Sequence, residues 1–133
     1  MTEIRAAKGE ALRDRLFGPM PTAGNNNPRS RQHATLPKHI QEITNDHLFG
    51  EVWQNEALRV EERSLITCAI LTALGREEQL LGHLFGARNL GISREKLEAM
   101  IEHVMYYAGW PVGMTGFRTL GNLWTQIEER EQQ

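Results

Sequence analysis

A chain of 133 residues, 40% of them hydrophobic, is long enough to enclose one core, and residues 1–133 read as a single domain. Fifteen basic residues against seventeen acidic ones give a formal charge of -2, which argues against a nucleic-acid binder, since that needs a clustered basic excess. No apolar run is long enough to span a bilayer, the N-terminal stretch mixes charges through its apolar positions, and the single cysteine, Cys68, excludes an intramolecular disulfide; a reducing, cytoplasmic setting with no membrane partner is expected.

Every periodic segment is helical. Ile4, Ala7, Ala11, Leu12 and Leu16 recur at spacings of three and four and predict a first helix. "GPMPTAGNNNPRSRQ" then breaks all periodicity and reads as an exposed or partner-stabilised loop, whose "RSR" could also meet an anion. Pro37 suits the first turn of the next helix, through "KHIQEITNDHLFGEVWQ", with Ile40, Ile43, Leu48 and Trp53 as its expected buried side chains. "VEERSLITCAILTALG" opens with acids, as a helix N-terminus favours, and is then apolar almost all round. That pattern places it in the middle of a bundle, with Cys68 as a small core residue and Gly75 as a left-handed cap.

Two further helices form an antiparallel hairpin. Leu80, His83, Leu84 and Ala87 share one face of the first, and Met100, His103, Val104 and Tyr107 one face of the second. In "NLGIS" between them, Gly91 is the stop and Ser93 the next N-cap. "AGWP" ends the second helix and Pro111 starts the last, which buries Phe117, Leu120, Trp124 and Ile127. Gly113, Gly116 and Gly121 are costly inside a helix and predict a close approach by other backbone, for which a neighbouring subunit is one candidate. With no strand signal and no repeat, the fold class is all-α.

His83 and His103 are the chemistry-bearing residues. A lone histidine on an apolar face is usually a hydrogen-bonded core residue, but two on consecutive antiparallel helices can be aimed into one cavity, where a pKa near neutrality suits proton transfer. No metal site is expected, because a helical pair needs ligands at i and i+4 and the residues four before these histidines are Gln79 and Ala99. Gln79 reads either as a group that orients the His83 ring or binds a substrate oxygen, or as a solvated side chain. His33, His39 and His47 have no comparable setting.

"FGEVWQNEALRVEERSLITCAILTALGREEQLLGHLFGARNLGISREKLEAMIEHVMYYAGWP" resembles the carboxymuconolactone decarboxylase family, related to the alkylhydroperoxidase D-like proteins. The features that carry the resemblance are Phe49 to Trp53, "RSL" from Arg63, "ALGR" ending at Arg76, His83 with Gly86 and Ala87, "NLG", and His103 followed by "YAG.P"; "KGEALRDRLFG" looks like the family's opening helix. The resemblance implies a six-helix alkylhydroperoxidase D-like bundle with a central helical hairpin. It implies assembly into ring oligomers, homotrimers or homohexamers, with active sites near subunit contacts. It also implies decarboxylation of a carboxylated lactone such as 4-carboxymuconolactone in aromatic catabolism, with no cofactor. His83, matched to the family's helix histidine, would be the first acid–base group and His103 the second. Arg63 could grip the substrate carboxylate through a two-pronged contact or pair with an acid such as Glu62, and Tyr107 and Trp110 could line the pocket or belong to the core.

The sequence departs from the family at marked positions. Redox-active relatives carry Cys-x-x-Cys-x-x-x-His; aligning that histidine with His83 puts Arg76 and Gln79 where the cysteines would stand, so thiol peroxidase chemistry is excluded. The decarboxylases often have an acid four residues before each histidine, where this chain has Gln79 and Ala99. Those losses leave two other readings open: an isomerase, dehydratase or other proton-transfer enzyme of a biosynthetic pathway, and a non-catalytic oligomer that binds a small molecule.

Overall fold

The computed structural model describes residues 2–18 and 35–132. The loop read over residues 18–32 and His33 therefore lie outside the described residues, Gly18 excepted. Among the described residues six α-helices follow one another: α1 (Thr2–Phe17), α2 (Lys38–Glu42), which runs on into a π-helix (Ile43–Val52), α3 (Val60–Leu74), α4 (Glu77–Asn89), α5 (Arg94–Ala108) and α6 (Trp110–Glu131). No strand occurs among the described residues, and no helix among them is long and apolar enough to cross a membrane. The chain divides into two compact units, Met1–Val60 and Glu61–Gln133.

In the first unit α1 packs against the π-helix so closely that their backbones touch. A Cβ at Gly9 would overlap the Asn45 carbonyl, and one at Gly50 would overlap the Arg5 carbonyl. The Asn45 side chain bridges the crossing: its Nδ2 donates to the Ala6 carbonyl at 3.0 Å and its Oδ1 accepts from Arg13 Nη1 at 3.4 Å. The Arg13 guanidinium lies 5.9 Å from the centroid of Phe49, which Phe17 meets edge-on at 6.2 Å and Trp53 at 5.4 Å. The buried face of α1 is accordingly Gly9, Leu12, Arg13 and Leu16, whereas Ile4, Ala7 and Ala11 face solvent. The glycine decides which side of the helix can approach, and the long Arg13 stem does the work of an apolar side chain there.

The second helix also differs from its reading. Phe49, Gly50 and Trp53 are buried, but Ile40, Ile43 and Leu48 are exposed. The cause is the π-helix: its bonds reach five residues back, as in Trp53 N–H to the Leu48 carbonyl at 2.9 Å, so side chains at α-helical spacings drift off the packed face.

In the second unit the core is Leu80, Leu84, Ala87, Leu97, Ile101, Leu120 and Leu123, with Cys68 and Ile92. Helix α6 packs on both α4 and α5, and glycines set how close it comes. A Cβ at Gly113 would overlap Met105, and one at Gly116 would sit 2.9 Å from Thr72 Cγ2 and 3.1 Å from Ile101 Cγ2. Gly113 and Gly116 thus admit side chains of their own chain, whereas a Cβ at Gly121 would meet nothing within 4 Å. Two exposed ion pairs set the α4–α6 register, Arg118 with Glu77 at 2.9 Å and Arg88 with Glu131 at 3.0 Å. Because both partners advance together along the chain, α4 and α6 run parallel. Phe117, Trp124 and Ile127 flank the core as partly buried side chains.

The punctuation residues behave as read. Gly75 and Gly91 have φ of +70° and +90°, conformations that L side chains rarely adopt, and Ser93 Oγ accepts from the Lys96 amide at 3.1 Å. Helix α3 departs from its expected central position. It buries a narrow strip of Ser64, Cys68 and Thr72, while Ile66, Ile70 and Leu74 stand in solvent. The core is built by three other helices, and α3 supplies it only Cys68 with Leu65 and Leu71 at the edge.

The two kinds of glycine in α6 should separate on substitution. Gly116→Ala should lower stability by about 1–3 kcal/mol through overpacking against Thr72 and Ile101. Gly121→Ala, whose Cβ would meet nothing within 4 Å, should raise it by roughly 0.5–1 kcal/mol. Urea titration of both variants reads the difference directly.

Candidate active site

His83 lies on the core side of α4, between Leu80 and Leu84 and one turn before Ala87, all three of them fully buried. Its side chain is half-buried, and loss of hydration pushes its pKa from the ordinary 6.5 down to about 4. At neutral pH the imidazole is therefore uncharged, the form that accepts a proton or shares hydrogen bonds. Gln79 stands one turn earlier with its side chain in solvent.

His103 is not on the buried stripe of α5. That stripe is Leu97, Ile101 and Val104; His103 is exposed and stacks on Tyr107, with ring centroids 4.9 Å apart and planes at 34°. Val104 belongs to both candidate stripes, which is why spacing alone did not separate them. Helix α6 settles the matter by pressing on Ile101 and Met105. The two histidines thus lie on differently covered helix faces, His83 half-buried and His103 exposed. Tyr107 is 84% exposed and Trp110 52%, so neither belongs to the core; Trp110 instead meets Tyr106 edge-on at 5.4 Å.

Arg63 is half-buried in the first turns of α3, where its carbonyl accepts from Thr67 Oγ1 at 2.8 Å. Beside it is a residue that sequence reasoning did not single out. Ser64 is 1% exposed, and its Oγ has no hydrogen-bond partner among the described residues. Thr72, on the same strip, satisfies its hydroxyl by donating to the Cys68 carbonyl at 2.7 Å. A serine where the charged first turn of α3 gives way to its apolar run was the available signal. The Cys68 thiol is fully buried and pushed up to about 12 by burial, as an inert core residue would be. A shallow surface depression between the end of α3 and the start of α6, lined by Thr72, Gly75, Arg76, Glu77, Thr115 and Gly116 among others, includes neither histidine.

With this geometry in place, the chain can be set beside known proteins. The sequence model of the carboxymuconolactone decarboxylase family matches residues 38–120, which contain His83, His103, Gln79, Arg63, Tyr107 and Trp110. A 4-carboxymuconolactone decarboxylase of Acinetobacter baylyi is 41% identical over 72 residues, 54% of each chain. A nitrosuccinic acid decarboxylase of Metarhizium robertsii is 30% identical over 71 residues, 53% of this chain and 50% of the relative. The chain thus matches about half the length of each of these curated relatives.

The buried imidazole makes stability depend on pH. Its folded pKa of about 4 lies below the ordinary 6.5, so the unfolded chain takes up the proton first as pH falls. Stability from this group is complete above pH 6.5, declines between 6.5 and 4, and falls no further below that, a total of about 3 kcal/mol. Thermal melts across that window should show the decline, and His83→Gln should flatten it. Cys68 should react with a thiol reagent only after denaturation.

Proposed function

Because this chain belongs to the carboxymuconolactone decarboxylase family, we propose that it is a carbon–carbon lyase that needs no cofactor and removes a carboxylate from a small organic acid or lactone. The observation that carries the reading is His83, a titratable group held neutral in the core face of α4 within the family-matched region. The substrates in the relatives' names, 4-carboxymuconolactone and nitrosuccinic acid, each combine a carboxylate with an electron-withdrawing group, a lactone carbonyl or a nitro group. In such a molecule the bond to the carboxylate breaks, carbon dioxide leaves, and the electron pair moves onto an oxygen of the acceptor. A proton then returns to carbon.

His83 is our choice for moving that proton. Neutral in the resting chain, it is not yet an acid. A bound carboxylate brings negative charge into the same poorly hydrated surroundings, which raises the imidazole pKa and loads the ring with the proton it later delivers. Gln79, one turn away, would orient the ring or donate to the developing oxyanion. Arg63 would hold a carboxylate, and His103 with Tyr107 and Trp110 would form the outer wall of the pocket. A second reading has one observation in its favour: a neutral His83, preceded by glutamine and not by a carboxylate, also suits a base that abstracts and returns a proton, as in isomerisation or dehydration.

Incubation with 4-carboxymuconolactone separates the two, since carbon dioxide release at a useful rate supports the lyase and rearrangement without it supports the alternative. His83→Gln should lower kcat on the order of 10²–10⁴-fold in a protein that keeps its helical spectrum; unchanged turnover would remove His83 from the chemistry. NMR titration of the His83 ring should show its pKa rising when an unreactive dicarboxylate binds.

A further inference from the structure

Building on the proposed lyase reading, which leaves Ser64 unused, we infer that the Ser64 hydroxyl donates a hydrogen bond to the substrate oxygen on which negative charge develops. Ser64 is buried, and its Oγ has no hydrogen-bond partner among the described residues. A buried hydroxyl left unpaired is costly, and a helix offers a ready remedy in the carbonyl four residues back. Thr44, Thr67, Thr72, Thr119 and Thr125 all take it, donating at 2.7–3.0 Å to the carbonyls of Ile40, Arg63, Cys68, Thr115 and Gly121. Ser64 does not, which keeps its proton for another acceptor.

Ser64, Cys68 and Thr72 form the buried strip of α3. Cys68 shares its core with Leu80, Leu84 and Ala87 of α4, and Thr72 lines the same depression as Leu80. The strip is thus laid against the side of α4 that carries His83, with Ser64 one turn from Cys68 and His83 directly before Leu84. A small acid held between these helices meets both side chains. Because Ser64 is closed over in the ligand-free chain, that acid must part the packing around the first turns of α3.

As the carbon–carbon bond breaks, its electron pair moves onto the acceptor oxygen and carbon dioxide departs uncharged. The Ser64 hydroxyl donates a hydrogen bond to that oxygen and keeps its own proton, while His83 returns a proton to carbon. A dry, neutral donor suits this step for two reasons. It carries no charge that would hold the departing carboxylate in place. Having no water to shed, it also needs no reorganisation when the charge arrives, and in surroundings of low polarity its dipole acts strongly. Gln79 stands in solvent and would first have to lose its water, so orienting the His83 ring is the task left to it.

Turnover of 4-carboxymuconolactone by Ser64→Ala tests this. Because the bond strengthens only as charge develops, kcat should fall about 10²–10³-fold with KM nearly unchanged. The thermal midpoint should hold or rise, since the change removes a hydroxyl that had no partner. An unchanged kcat, a loss confined to KM, or a lowered midpoint overturns the inference while the lyase reading stands. Should Ser64→Ala lose helicity, Ser64→Cys puts a weak donor at the same place and should show the same loss of kcat; full activity in it overturns the inference. If the unaltered protein releases no carbon dioxide, the lyase reading fails, and binding then decides the part played by Ser64. The preformed nitronate of 3-nitropropanoate carries a carboxylate and a stable anionic oxygen, and the unaltered protein should bind it roughly tenfold or more tightly than Ser64→Ala does. Equal affinity, or no binding by either protein, overturns the inference.

Discussion

The second unit depends on how closely α6 can approach its neighbours. Gly113 and Gly116 remove the side chains that would keep it away from Met105, Ile101 and Thr72. That approach brings Leu120 and Leu123 into the same core as Leu84 and Ile101. It also brings the start of α6 over Leu80 on α4. A histidine at the same place in the sequence, on a helix less tightly covered, would titrate near neutrality and hold no stored preference for the uncharged ring.

The same closeness has a cost in conformational freedom that the fold offsets elsewhere. Ion pairs at both ends of the α4–α6 contact keep the helices in register, although exposed pairs of this kind add little stability. In the first unit the logic recurs with different parts: Gly9 and Gly50 admit backbone-to-backbone contact, and Asn45 and Arg13 satisfy the polar groups that contact exposes. Both units thus use glycine for proximity and polar or aromatic side chains to fill what glycine leaves empty.

Burying His83 while exposing His103 gives two residues of one type opposite properties. The buried ring resists protonation and responds strongly to any charge brought near it, since little water is present to screen that charge. The exposed ring is stacked on Tyr107 and bathed in solvent. Uncharged aliphatic surface on α3 continues the theme: a helix can be apolar on two sides when only one is needed inside its own chain.

Much was legible from the sequence alone: helix type, the stops at Gly75 and Gly91, the Ser93 cap, the core character of Cys68, Leu84 and Leu120, and the family frame around His83. These follow from local rules, because periodicity, left-handed backbone and capping depend on residues a few positions apart. What needed the tertiary structure was every choice between competing faces. The π-helix moved burial from Ile43 to Phe49, Arg13 took a core position opposite it, and the neighbours of α5 turned His103 outward. A helix with two plausible apolar stripes carries no local information about which one will be covered; that is decided by the helices that pack against it, and their approach is limited by glycines far along the chain.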